Sequence, residues 1–178
     1  MAEVLIGGIE KREIVVVDYD PRWPEQFREH AQIIQHAIGT TALSIEHVGS
    51  TSVPGLAAKR IIDIMVVVED SSVESSYLPR LVEAGYVLRV REPDWHEHRM
   101  FRTPNLDVHI HLFSAGCIEI GRQLAFRDWL RRNAEDRASY EILKRKLAKE
   151  DWTDMNAYAR AKTELVEQIL ARARKEFP

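Results

Sequence analysis

The chain has 178 residues, enough for one domain with a sizeable core but short for two independent ones. Its 25 basic and 28 acidic residues leave a formal charge of -3, which excludes a global positive field toward nucleic acid or anionic lipid; phosphate binding has to be local, and no extended nucleic-acid interface is expected. Lone Cys117 excludes an intramolecular disulfide, Met1 to Lys11 lacks the pattern of a signal peptide, and the longest uncharged apolar run, Ile64 to Val68, is far short of the ~20 residues of a membrane helix, so the expectation is a cytoplasmic protein with no membrane partner.

Ile14 to Val17 has the pattern of a short strand, and the prolines of Asp18-YDPRWPEQF mark a turn and a helix start, with Pro24 in the first helical turn. Phe27, Ala31, Ile34 and Ile38 then recur at helical spacing up to Gly39, a natural stop. Leu43 to Val48 is a strand candidate, Gly49 to Leu56 a loop, and the β-branched run Ile61 to Val68 a central strand. A helix is predicted over Val73 to Ala84, then a hairpin from Tyr86–Arg91 and Glu97–Thr103 around Glu92-PDWH, then a strand within Leu106–Phe113. Beyond Gly116 the periodicity turns helical, with faces at Leu124, Trp129 and Leu130, at Tyr140, Leu143 and Leu147, and at Tyr158, Ala161, Leu165 and Ile169, which predicts three helices. Clustered strands with few crossover helices predict an α+β fold: a mixed sheet of about five strands in residues 1–116, and a helical extension over 117–178 packed on it as one unit.

Within this frame Asp63 stands among Ile61, Ile62, Ile64, Met65 and three valines, where a carboxylate must be paired, protonated or bound to a metal. A salt bridge to a nearby arginine is the plain explanation. The preceding Gly49-Ser50-Thr51-Ser52 turn offers glycine, hydroxyls and backbone N–H groups, a composition that can cradle a phosphate, and the acid can then hold the cation that a triphosphate brings. In Leu106-DVHIHLF, alternation puts Asp107, His109 and His111 on one face; with His47, His96 and His98 on neighbouring segments, these groups can converge on a transition metal or simply line a solvent-facing strand. Lys59 and Arg60, with hairpin residues Arg89, Arg91, Arg99 and Arg102, can clamp a polyphosphate or form a solvated charged surface. Tyr158 and Lys162, four apart on a helix, can stack a base and meet a phosphate, although an amphipathic rim explains them equally. No P-loop, dinucleotide fingerprint or nucleophile elbow occurs.

Val17-DYDPRWPEQF, Ile45-EHVGSTSVPGLAAKRIIDI, His98-RMF, Val108-HIHL, Phe126-RDWLR and the pairing of Tyr158 with Lys162 together resemble the GrpB family, from about Ile14 onward. The resemblance implies a nucleotidyltransferase-like fold, related to a domain fused to some dephospho-CoA kinases. Carried across, Gly49 and Ser50 resemble the phosphate turn of nucleotidyltransferases and Asp63 their first metal acid; the third acid falls in the Asp107 to His111 strand, at Asp107 or His109 according to register. The second acid falls at Met65, a thioether unsuited to a hard ion, and Arg60 stands where proline is expected. The implied activity is nucleotidyl transfer from a nucleoside triphosphate, or a related phosphorylated small molecule, with Mg2+ or Mn2+ and catalytic Asp63, Asp107 and His109. The alternatives are a degenerate phosphate-binding module and a metallohydrolase using His47, His109 and His111. Base, acceptor and homo-oligomer formation stay open.

Overall fold

The computed structural model describes residues 5–11, 13–152 and 155–176, so residues 1–4 and 12 of the expected sheet part and 153–154 and 177–178 of the expected helical extension lie outside the described residues. The amphipathic run gives helix α1, Trp23–Ile38, whose buried Trp23, Ile34 and Ile38 share one face; Gly39 ends it with φ 54°, a left-handed conformation that costs glycine little. Strands follow at Ser44–Val48 (β1), Ile62–Val68 (β2), Val87–Glu92 (β3), His98–Arg102 (β4) and Val108–Ser114 (β5). They form one mixed sheet in the order β1-β2-β5-β4-β3, with β2 and β5 parallel at its centre and the other pairs antiparallel. This is the α+β architecture expected.

Strand alternation divides the sheet. Ile62, Ile64, Val66, Ile110 and Leu112 face α1 and helix α2 (Leu78–Glu83) and form the main core with Tyr77 and Phe101. On the other face Met65 packs with Val48 and Phe113 beneath helix α3, Ile118–Arg132, while Asp63, His109 and His111 remain at its edge. Helix α4 (Ala134–Leu147), capped by the Asn133 side chain on the Asp136 amide, and helix α6 (Thr163–Glu176) join α3 over the loop residues Val53 and Leu56. Asp136 ties the three helices by accepting from Trp129 Nε1 at 2.6 Å and from Arg172 at 2.6 and 3.0 Å. Arg131 donates twice to Ser52 O and Arg127 to His47 O, so the helical layer holds the Gly49–Ser52 turn in place.

Three local expectations change. Ile14–Val17 is not a strand: only Val17 bridges, to Ala58, while Ile14 packs against Leu147 and Tyr158. The Val73–Ala84 segment is helical only from Leu78, after one 3-10 turn at Glu74–Ser76, because Pro79 suits a first helical turn better than an interior one. The third tail segment is two helices, α5 (Met155–Arg160) and α6, with Lys162 in the turn between them. A bulge between Leu88 and Val90 also shifts the register of β3 against β4, so that Arg89 does not share a face with Arg91.

Candidate metal and phosphate site

The parallel pairing of β2 with β5 sets Asp63 opposite His109 and Met65 opposite His111. All four side chains therefore share a face, and one ligating atom from each of Asp63, His109 and His111 lies within 4.8 Å of the others. Asp63 Oδ1 is 3.4 Å from His111 Nε2 and 3.7 Å from His109 Nδ1, and among the described residues no arginine pairs with it. Its side chain is 30% exposed, at a cavity rather than sealed in the core. Burial works to raise its pKa, but the His111 hydrogen bond and the charges of His109, His111 and Lys59 outweigh that and hold the carboxyl below its usual range. Gly49 is required beside it: with φ 69° and ψ -176°, a Cβ there falls 2.5 Å from Asp63 Oδ2.

Behind the triad runs a chain of rings. His98 Nδ1 is 2.7 Å from Glu92 Oε2, and His98 Nε2 is 3.1 Å from His111 Nδ1. Burial lowers the His98 pKa against the pull of Glu92, and His98 is stacked on Phe113 and His111. A neutral His98 that donates to Glu92 has only a lone pair left at Nε2, so His111 donates from Nδ1. That leaves His111 Nε2 facing the Asp63 carboxylate, where a proton on Nε2 makes the hydrogen bond and a metal ion shared with His109 can take the proton's place.

On the Asp63 side of the triad lies a cavity of about 160 Å3. Its walls include Gly49, Ser50, Thr51, Lys59, Lys144 and Lys162, together with the rings of Phe126, Tyr140 and Tyr158. Burial lowers the Lys144 pKa to about 7, with Lys162 adding repulsion, and burial lowers that of Lys162 to about 8. Burial raises the Tyr140 hydroxyl to about 12, a shift that a hydrogen bond with Ser50 partly offsets. Lys144 also donates to Ala57 O. On the imidazole side lies a second cavity of about 310 Å3, walled by His98, His109, His111 and Met100, and sharing Lys59 with the first.

Of the residues singled out in the sequence, the fold brings together Gly49, Ser50, Thr51, Lys59, Asp63, His109, His111, Tyr158 and Lys162. Others lie elsewhere. Asp107 is exposed in the turn before β5, accepts from Thr103 Oγ1 at 2.5 Å, and acts on His30 and Tyr86 instead. His47 is on the α1 face, stacked on Phe27 and bonded to Thr51 Oγ1, and burial lowers its pKa to about 4. The Thr51 and Ser52 hydroxyls brace the turn itself, on Ile61 O and Gly49 O. Arg60 is exposed and its charge reaches Asp20. Arg99 is buried on the α2 side, where it and Arg91 both bind Glu74 at 2.6 Å; Arg102 binds Glu10, and Arg89 binds the Ile6 and Gly8 carbonyls. Tyr158 is 1% exposed, with Lys162 4.4 Å and Lys59 5.4 Å from its ring centroid, so its ring carries cations rather than a stacked base. The sequence pattern points to His98 but not to its partner Glu92, nor to Lys144 or Tyr140. Lys144 had a signal: it lies four residues after Tyr140, a charge on an apolar stripe.

A family model described as GrpB protein matches residues 13–172. A UPF0157 protein of Halalkalibacterium halodurans is 52% identical over 147 residues, spanning 82% of this chain and 75% of that protein. A dephospho-CoA kinase of Mycobacterium tuberculosis is 31% identical over 155 residues, 72% of this chain but only 38% of the kinase. The crystal structure of the conserved protein GrpB from Enterococcus faecalis superposes with a TM-score of 0.81 at 34% identity, covering 92% of this chain and 99% of that one.

Proposed function

The chain belongs to the GrpB family, and on that premise we propose that it is a metal-dependent enzyme acting on a nucleoside triphosphate or related phosphorylated small molecule, by nucleotidyl transfer to an acceptor hydroxyl. The observation that carries this reading is the juxtaposition of the Asp63–His109–His111 triad with a cavity walled by three lysines. The two halves suit one ligand: Lys144 and Lys162 suit an anion, and the triad suits a cation that binds phosphate oxygens.

The donor set bears on the ion. Two imidazoles and one carboxylate suit a borderline ion such as Zn2+, Co2+ or Fe2+, with Mn2+ acceptable, better than Mg2+, which favours oxygen donors. Such an ion supplies Lewis-acid stabilisation of charge at phosphorus. The residues do the rest: Lys59, Lys144 and Lys162 neutralise the phosphate tail, Ser50 offers a hydroxyl on the cavity wall, and Glu92 with His98 fixes the His111 ring. In the transfer the acceptor oxygen bonds to the α-phosphorus as the bond to pyrophosphate breaks, and the acceptor proton leaves with pyrophosphate or buffer.

A second reading, binding without transfer, is favoured by Met65, which occupies the position implied for a second acid and is wholly buried against Val48 and Phe113. One experiment separates the two. Purified protein is titrated with Zn2+, Co2+, Mn2+ and Mg2+, then incubated with nucleoside triphosphates and a panel of hydroxyl acceptors while pyrophosphate is measured. One ion per chain, lost in Asp63→Ala, with pyrophosphate release supports transfer. Ion and triphosphate binding with no release supports the module. No stoichiometric ion and no triphosphate binding overturns both.

A further inference from the structure

The two cavities meet at the triad, and this placement assigns an orientation to the ligand. Asp63 walls only the smaller cavity, His109 and His111 only the larger, and Lys59 belongs to both. The smaller, at about 160 Å3, matches a cavity of about 150 Å3 that holds one benzene, whereas sites for whole organic ligands start at about 300 Å3. It has no room for a nucleoside. Its wall carries the buried Lys144 and Lys162 beside the Asp63 carboxylate, and Glu141, an acid beside Lys144, is already held by the Ala57 amide and Arg145. A cation-lined cavity of this size suits a compact, highly charged anion. A further polar group points the same way: the Tyr158 hydroxyl is sealed from solvent and has no hydrogen-bond partner among the described residues.

The larger cavity differs in kind. Leu5, Ile9, Val90, Met100 and Ala159 give it apolar walls, and its arginines are already engaged, Arg102 by Glu10 and Arg89 by backbone carbonyls. It suits the organic body of a ligand and offers little to a second phosphate.

We propose that the ligand binds across the triad with its inorganic phosphate tail in the Lys144–Lys162 cavity and its organic body in the Met100 cleft, so that the bond at the metal position joins tail to body. This rests on the reading of the site as one for a phosphorylated molecule, and it adds direction: the tail goes in first, and selectivity among organic bodies resides on β3, β4 and the N-terminal segment.

The test uses two variants and two probes in metal-free buffer, inorganic pyrophosphate for the tail alone and ATP for tail plus body, with affinity read by calorimetry. Lys162→Met removes a cation of the inner cavity, and Met100→Trp fills the outer cleft; melting curves confirm that both fold. The expected pattern is asymmetric. Lys162→Met weakens both probes at least tenfold, while Met100→Trp leaves pyrophosphate within twofold and weakens ATP at least tenfold. The orientation is overturned if Met100→Trp leaves ATP binding unchanged, which places the body elsewhere, or if Lys162→Met leaves pyrophosphate binding unchanged, which places the tail elsewhere. Stoichiometric ion binding and pyrophosphate release by the unaltered protein are read separately, so the orientation can fail while the proposed function stands.

Discussion

Replacing Gly49 by alanine tests the local geometry on which the site depends. At φ 69° and ψ -176° the residue occupies a region closed to L side chains, which costs about 1–3 kcal/mol for a non-glycine residue. An added Cβ would also stand 2.5 Å from Asp63 Oδ2 and 3.0 Å from Asp63 Cβ. Relief by moving the loop is opposed by Arg131 on Ser52 O and by Arg127 on His47 O, and relief by moving Asp63 is opposed by the pairing of its strand on both sides. The carboxylate must therefore rotate away from His111. The expected loss is about 2–4 kcal/mol from the strain and the displaced contact, a fall of roughly 4–16 °C in Tm at about 2–4 °C per kcal/mol for a chain of this size. Denaturant unfolding gives the first quantity and metal titration gives the second effect, an ion affinity at least tenfold weaker. A Gly49→Ala protein within 0.5 kcal/mol of the parent by the usual tolerance of surface substitutions, and binding the ion as tightly, would refute the close approach of Asp63 to the turn.

Three further outcomes are expected. His98→Phe keeps the ring stack on Phe113 but removes the hydrogen bond to His111 Nδ1, and should lower ion affinity about 10–100-fold, read by competition with a chelating dye; an unchanged affinity would show that the ring chain does not orient His111. Tyr158→Phe deletes a buried hydroxyl without a partner and should raise stability by on the order of 1 kcal/mol, so a destabilised variant would reveal a partner in solution. For Lys144 the folded pKa of about 7 lies below the ordinary 10.5, so burying its ammonium costs stability most fully below pH 7, and that cost is relieved as pH rises toward 10.5. Stability of the parent relative to Lys144→Met should accordingly climb between pH 7 and 10, at up to about 1.4 kcal/mol per pH unit for one proton; a pH-independent difference measured by urea unfolding would contradict a neutralised buried lysine.

The elements with strong local signals were legible before any coordinates. The spacing of Phe27, Ala31, Ile34 and Ile38 against Gly39 locates α1, and the β-branched run around Asp63 locates the central strand, because period and branching act within a few residues. Ile14–Val17 has the same β-branched character yet pairs only through Val17: a strand exists only if a neighbour offers a free edge. The tail reads as continuous helix from Tyr158 to Ile169 because nothing in Ala161-Lys162-Thr163 breaks a helix by propensity, and the turn there comes from tertiary packing.

The site divides along the same line between local pattern and long-range register. Alternation in Asp107-VHIH puts three polar groups on one face, but the last ladder pair of β5 with β2 is Val108 with Ile62, so Asp107 falls beyond the strand and its carboxylate turns to Thr103 while both histidines stay aligned with β2. The arginines drew attention as a phosphate clamp because sequence displays cations without their partners. Glu74 takes Arg91 and Arg99, and Glu10 takes Arg102, over separations of up to 92 residues that no local pattern encodes. Arginine, always charged and forked, is the residue best satisfied by such pairs, whereas lysine loses its proton on burial more readily. Lys144 and Lys162 face the cavity, and both have lowered pKa values because burial leaves them insufficient countercharge. That deficit is the physical form of a binding site: an anion entering the cavity would restore the ammonium charges of Lys144 and Lys162 as it binds, so its affinity should carry a proton uptake between pH 7 and 8, which a wall of ion-paired arginines would not show.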